Sequence, residues 1–373
     1  MTQVFVVNSG SSSIKYQLVD LESGTSVMGG LIERIGEPGS FIADHVEGMQ
    51  IVLDELGEGR DILAVGHRVV HGGSAFAVPT LIDDAVEAEI DRLSELAPLH
   101  NPANLLGIRA ARAALPGIPH VAVFDTAFHQ SLLPAAYTYA IDAELARTHQ
   151  IRRYGFHGTS HKFVSEEAAR VLGKPYAELK MIVLHLGNGA SVTAIDGGQS
   201  VDTSMGLTPL QGLVMGTRSG DIDPAVVFHL KRHAGLDVDE IDTLLNRKSG
   251  LLGLTGMNDM RDVQEAAQQG NADAELALQV WRHRIRHYIG AYYAQLGGLD
   301  AVIFTAGIGE NNALLRRRAL GGLAHLGIRV DDDRNELMSR EARVISPDGA
   351  RVAVLVVPTN EELEIARQTA SVV

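Results

Sequence analysis

The sequence predicts an α/β protein made of two similar halves, and three observations carry that expectation. Continuous apolar runs rich in β-branched residues recur along the chain, bounded by glycine, proline or polar turns. Segments with helical periodicity lie between them. A small-residue turn after the first run, Asn8-Ser9-Gly10-Ser11-Ser12-Ser13-Ile14-Lys15, has a counterpart in the second half in His185-Leu186-Gly187-Asn188-Gly189-Ala190-Ser191. Strands interleaved with helices make a sheet covered on both faces, and a recurring turn implies a recurring unit.

The runs Val4–Val7, Val121–Phe124, Met181–Leu184, Ala301–Phe304 and Val352–Val357 do not alternate with polar residues, so they read as central strands. From Asp84 to Ala97, Val86, Ile90 and Leu93 fall on one helical stripe that stops at Pro98. From Asp273 to Leu296, Leu278, Trp281, Ile285, Tyr288 and Tyr292 line one face, and Gly297-Gly298 ends the helix. Within it, Arg282 to His287 reads as solvated basic surface. Thr359-Asn360-Glu361-Glu362 predicts a helix start with a capping box from Thr359 to Glu362. A helix this late is placed to return to the first domain. No linker separates the halves, and the boundary is expected between Asp125 and Ser131.

Composition narrows the function. The chain's 373 residues suffice for two cores. A net charge of −14 argues against nucleic acid as the main partner, because phosphate backbones require clustered Lys and Arg. With no cysteine, disulfides, thiolate catalysis and Cys-zinc sites are excluded. The apolar runs are too short to span a membrane, and the start lacks the basic region of a signal peptide, so the cytoplasm is expected.

Small side chains let backbone N–H groups approach an anion, so the two turns are candidate phosphate nests. Either alone reads equally well as a hairpin corner. Their pairing, with a third glycine turn at 304–311, fits a nucleotide held at its phosphate and adenosine ends. Neither a P-loop nor a complete G-x-G-x-x-G is present, which disfavours those two nucleotide folds. Arginines and histidines flanked by glycines cluster at 66–73, 153–161 and 215–221, where the backbone leaves room for a ligand. His157 and His161 are four apart, as metal ligands on a helix would be, but without a third ligand nearby a hydrogen-bonding role is preferred. Asp125 follows the strand Val121–Phe124, either presenting a carboxylate to a ligand or capping the next segment. Glu361 fits a ligand role or the dipole preference of a first helical turn.

Taken together, these segments resemble the acetate kinase family, within the acetate and sugar kinase/Hsp70/actin superfamily. The motifs are N-x-G-S-S-S-x-K at 8–15, HRVVHGG at 67–73, FDTAFH at 124–129, YGFHGTSH at 154–161, HLGNGAS at 185–191, MGTRSGDIDP at 215–224, GIGEN at 307–311 and PTNEE at 358–362. The resemblance implies duplicated actin-like ATPase (ribonuclease H-like) domains with ATP in the interdomain cleft. The first domain would comprise 1–126 plus 359–373, and the second 127–358. It also implies a homodimer and reversible transfer of the ATP γ-phosphoryl group to acetate, giving acetyl phosphate and ADP.

By the same resemblance, Arg68 and Arg218 hold the carboxylate and the phosphoryl group, His157 stabilises the transition state, and Asp125 stands beside it. Asn8 and Glu361 match positions associated with Mg²⁺, with Mn²⁺ as a substitute. Lys15, His185, Leu186, Gly187, Asn188, Gly189, Asp259, Met260, Arg261, Gly307, Ile308, Gly309, Glu310 and Asn311 match ATP contacts. Val70, Leu99, Phe156 and Pro209 match the pocket for the acetate methyl group, although ordinary core packing would also account for them. Propionate-preferring relatives tend to carry a smaller residue at the place of Val70, so acetate is expected ahead of propionate. A propionate kinase and an Hsp70- or actin-like nucleotide switch are the alternatives. The region between Asp20 and Ile62 is shorter than in the family, outside every motif named, which bears on surface shape and the dimer edge.

Overall fold

The computed structural model describes residues 2–37, 39–57 and 60–373. The chain divides into two compact units: Met1–Gln130 with Phe156–Ser160 and Asn360–Val373, and Ser131–Gly155 with His161–Thr359.

The first unit is built on a six-stranded sheet of β1 (Gln3–Ser9), β2 (Ser13–Asp20), β3 (Thr25–Glu33), β4 (Ile62–Val69), β5 (Thr80–Leu81) and β6 (His120–Phe124), in the order β3-β2-β1-β4-β6-β5. The hairpin β1–β2 and its neighbour β3 pair antiparallel, whereas β1, β4 and β6 run parallel. The parallel strands are apolar and buried along Val4–Val7, Ala64–Val65 and Val121–Phe124, because both faces of the sheet are covered there. On one face Phe5, Val7, Ile14, Tyr16, Leu18 and Val65 pack with Met49, Val52 and Leu56 of helix α1 (His45–Leu56). Helix α2 (Asp84–Arg92) contributes Ile90, and helix α3 (Asn101–Ala114) contributes Leu105 and Ile108, to a second cluster around Val69, Ala122 and Phe124. The helix Glu361–Ala370 packs closely on β4, where a Cβ on Gly66 would meet Thr369 and Ile365 side chains.

The second unit repeats the plan. Its strands are β7 (Lys180–Leu186), β8 (Ala190–Asp196), β9 (Gln199–Thr203), β10 (Ala301–Thr305), β11 (Arg343–Val344) and β12 (Ala353–Val356), in the order β11-β12-β10-β7-β8-β9. Read from its other edge, β9-β8-β7-β10-β12 has the order of β3-β2-β1-β4-β6, and each pair keeps the same parallel or antiparallel sense. Even the edge strands agree, since β5 and β11 each pair antiparallel with the last parallel strand. The duplicated α/β plan therefore resides in the sheets as well as in the turns.

Several local expectations change. The 304–311 segment is not a glycine turn; Ala306–Asn311 forms a short helix directly after β10. The capping box from Thr359 to Glu362 is absent, because Asn360 is the cap and its side chain accepts from the Leu363 amide at 3.0 Å. Helix α2 stops at Arg92, and Leu93–Glu95 continues as a 3₁₀ turn. In the helix Ala272–Leu296 the expected basic surface is partly used internally. Arg284 lies 3.5 Å from Asp221, and Arg286 donates to the Ala319 and Arg318 carbonyls, leaving His283 and His287 exposed. Among the described residues no helix is long and apolar enough to cross a membrane.

Candidate active site

In an α/β sheet the carboxyl ends of the parallel strands are where ligands bind, since loops leave there and side chains converge. In the first unit those ends bring together Asn8 on β1, Arg68 on β4 and Asp125 just after β6. Arg68 donates from Nε to Asp125 Oδ1 at 3.0 Å and from Nη2 to Oδ2 at 2.6 Å, and more weakly from Nη1 to Asn8 Oδ1 at 3.4 Å. Asp125 is only 1% exposed. Burial pushes its carboxyl above the ordinary range and Arg68 pulls it back. A guanidinium does not deprotonate in proteins, and its two N–H donors to Asp125 favour the charged carboxylate, which holds the two as an ion pair. Both carboxylate oxygens are thus engaged by Arg68, and Asp125 is neither a cap nor a free base.

Glu361 opens the C-terminal helix of this unit, where burial raises its carboxyl above the usual value while Arg68 and Lys15 act against that rise. Lys15 pairs with the next residue, Glu362. His157 precedes a helix that begins at Gly158, and its φ of 56° is in the left-handed region that side chains with a Cβ disfavour. Such strain persists only where the surroundings impose it. Here the Gly158 amide donates to the Asp125 carbonyl at 2.9 Å, and a Cβ on Gly158 would lie 2.2 Å from that oxygen. The glycine lets the chain rest on Asp125 and carries His157 with it. Val70 and Phe156 are buried; the Phe156 ring meets His71 edge-on at 5.5 Å between centroids. Leu99 is 45% exposed.

The second unit holds a cavity of about 500 Å³. Its lining includes Gly187, Asn188, Asp259, Met260, Arg261, Gly307, Ile308 and Asn311, all expected ATP contacts, and two residues the sequence reading missed, Asn258 and Asn312. Each of those two abuts an expected segment, which is the only signal that would have found it. Helix Met260–Gln268 starts at this cavity, so its unsatisfied N–H groups favour negative charge there. Asp259 caps it, accepting from the Arg261 amide and guanidinium, which hold its carboxyl down at about 2.

Other expected contacts sit differently. His185 and Leu186 belong to β7 and are buried in the sheet, and neither they nor Gly189 and Gly309 line the cavity. The Glu310 carboxylate is occupied internally, accepting from the amides of Ala306 at 2.8 Å and Thr359 at 3.1 Å, so its side chain braces the strand–helix junction. Buried Arg316, not anticipated from the sequence, donates to the Gly309 and Glu310 carbonyls. Burial pushes its guanidinium down to about 10.

Arg218 lies on the loop after β9, half-buried, and donates from Nη1 to the Pro209 carbonyl at 2.7 Å. Among the described residues no carboxylate forms an ion pair with it, and burial alone lowers its pKa. Its loop is seated on the cavity's turn: the Gly216 amide donates to the Asn188 carbonyl, and a Cβ on Gly216 would fall 1.7 Å from Asn188 Oδ1. A guanidinium removed from water without a counter-charge is a ready site for an anion. His161 instead bonds Ser191 through Nε2 at 2.8 Å, and His157 stands outside the helix that His161 occupies, so the four-residue spacing does not make a ligand pair.

A family model described as the acetokinase family matches residues 3–367. An acetate kinase of Clavibacter michiganensis subsp. michiganensis is 64% identical over 390 residues, covering 99% of this chain and 98% of that protein. One from Leifsonia xyli subsp. xyli is 62% identical over 389 residues, with the same two coverages. Both alignments exceed the 373 residues of this chain, so it lacks segments those relatives have. Among solved structures, an acetate kinase of Porphyromonas gingivalis superposes with a TM-score of 0.95 at 41% identity, covering 100% of each chain. A propionate kinase of Francisella tularensis subsp. tularensis gives 0.93 at 42% with the same coverage.

Proposed function

The chain belongs to the acetokinase family, and from that premise we propose that it transfers the γ-phosphoryl group of ATP reversibly to acetate, giving acetyl phosphate and ADP. One observation carries the chemistry: Arg218 is half-buried with no carboxylate ion-paired to it among the described residues, on a loop seated against the turn of the nucleotide cavity.

Acetate is already ionised at neutral pH, so its oxygen attacks phosphorus without a general base. The obstacle is bringing one anion to another while charge spreads over the transferring oxygens, and fixed cations relieve it. Arg68 and Arg218 supply those cations in this reading. Asp125 keeps the Arg68 fork in one orientation and removes no proton. His157, held by its strained backbone, donates to a phosphoryl oxygen. The cavity lined by Gly187, Asn188, Asp259–Arg261, Gly307, Ile308 and Asn311 takes ATP, and Lys15 serves its phosphates. Val70, Leu99, Phe156 and Pro209 exclude water from the methyl group.

Asn8 and Glu361 offer only oxygen donors, and Glu361 gains by neutralisation because burial raises its pKa. Such a set suits a hard cation that keeps most of its water and is otherwise bound by phosphates, as Mg²⁺ or Mn²⁺ is. The ion would neutralise charge on the ATP phosphates. The cytoplasm is kept in this reading as the expected compartment, and the homodimer rests on the family resemblance. The domain division 1–126 with 359–373, and 127–358, belongs to the same reading.

Trapping acyl phosphate with hydroxylamine, with acetate or propionate as acceptor, tests the proposal. Acetate-dependent hydroxamate with higher kcat/KM than for propionate is expected. A clear preference for propionate assigns the chain to propionate, and ATP turnover independent of either acid assigns it to a nucleotide switch.

A further inference from the structure

Helix α3 carries two asparagines, Asn101 and Asn104, that are 0% and 4% exposed. A buried amide is costly unless its polar atoms are bonded, and here both side chains bond backbone where sheet pairing has run out. Strand β4 ends at Val69, whose carbonyl still accepts from the Asp125 amide at 3.0 Å. Beyond that point Asn104 Oδ1 accepts from the Val70 amide at 3.0 Å, while its Nδ2 donates to the Ser9 carbonyl at 2.6 Å. Asn101 does the same for the next residue, accepting from the His71 amide at 3.1 Å and donating to the His71 carbonyl at 2.9 Å. The two amides act as substitute ladder partners, and Asn104 ties the residue after β4 to the last residue of β1.

We infer that Asn104 is a positioning residue for acyl-chain selectivity, acting through Val70. This rests on the reading of Val70 as a wall of the acyl pocket. Arg68 has its own anchor in Asp125, so loosening Asn104 frees the Val70 backbone without releasing the guanidinium. The Val70 wall then yields to one additional methylene. Discrimination of one methylene by an apolar pocket amounts to about 10- to 200-fold, and it depends on the wall being held still.

The test compares kcat/KM for acetate and propionate in wild type, Asn104→Ala, Asn104→Ser and Val70→Ala. Both acids are assayed on one preparation, so any loss of folded enzyme cancels from the ratio; a purely structural role for Asn104 would leave that ratio unchanged. Asn104→Ser guards against a failure of Asn104→Ala to fold. The acetate-to-propionate ratio is expected to fall at least about fivefold in the Asn104 variants, a part of the discrimination available, with the KM for ATP unchanged. A wild-type ratio in the Asn104 variants, with a shifted ratio in Val70→Ala, overturns the inference alone. A wild-type ratio in Val70→Ala as well overturns the pocket reading beneath it.

Discussion

Replacing Asp125 by asparagine preserves the shape of its buried pair with Arg68 and removes its charge. In the wild type Arg68 makes two charge-assisted bonds to Asp125, at 3.0 and 2.6 Å. Such bonds contribute about 1.5–3 kcal/mol each. Asparagine keeps one neutral acceptor and turns an NH₂ group toward the other guanidinium nitrogen, so one bond is lost and the second weakened. The Arg68 side chain is 22% exposed, and water partly replaces the missing acceptor. A loss of about 2–3 kcal/mol in the hold on Arg68 follows, which is roughly a 30- to 150-fold fall in kcat/KM for acetate if felt wholly in the transition state. Initial rates of hydroxamate formation across acetate concentrations, at saturating ATP and between pH 6 and 9, measure it. The KM for ATP should not move. Wild-type kcat/KM in Asp125→Asn would refute the positioning role. A loss beyond about 10⁴-fold would show Asp125 acting in the chemistry, because holding one arginine cannot account for that much.

Arg218→Ala should leave ATP binding nearly intact while kcat falls on the order of 10³-fold, by analogy with arginines that stabilise phosphoryl transfer; wild-type turnover would remove Arg218 from the site. Burial raises the Glu361 carboxyl above 4.5, so the charged form is lost at higher pH than in a free side chain. Activation by Mg²⁺ should therefore weaken as pH falls through that raised value, and Glu361→Gln should flatten the dependence; an unchanged profile in the variant contradicts the assignment. His67 and His120 share a 2.9 Å hydrogen bond, and burial holds both rings below 6.5. The unfolded chain then takes up protons first, so stability is fully present above pH 6.5 and declines below it, at most about 1.4 kcal/mol per pH unit for each ring. Urea unfolding between pH 7.5 and 5.5 should show a shallower slope in His67→Leu than in wild type, and equal slopes would count against the pair.

Much of the architecture was legible from pattern alone because central strands must be apolar on both faces and turns must be small. Val4–Val7, Val121–Phe124, Met181–Leu184 and Ala301–Phe304 all fall within β-strands. The helix Ala272–Leu296 buries Leu278, Trp281, Ile285 and Tyr292 of its expected stripe while Tyr288 stays half-buried, and Gly297 closes it with a φ of 64°. What misled was local chemistry with two equivalent solutions. Thr359 and Asn360 are both good caps, and in the structure it is the Asn360 side chain that accepts from the Leu363 amide. At Glu310 the local pattern suggests a ligand contact, while the tertiary structure sets its carboxylate to accept from two backbone amides.

The sequence by itself determined the repeated strand–turn–strand units, their apolar cores and the family, because periodicity and contiguous motifs are local properties of the chain. Only the tertiary structure decided which polar groups meet. Asp125 and Arg68 lie far apart along the chain, as do Asn104 and Ser9, and no local pattern reports which partner a buried carboxylate or amide will find. Burial decides it, since a polar atom withdrawn from water must bond to whatever the sheet topology brings within reach.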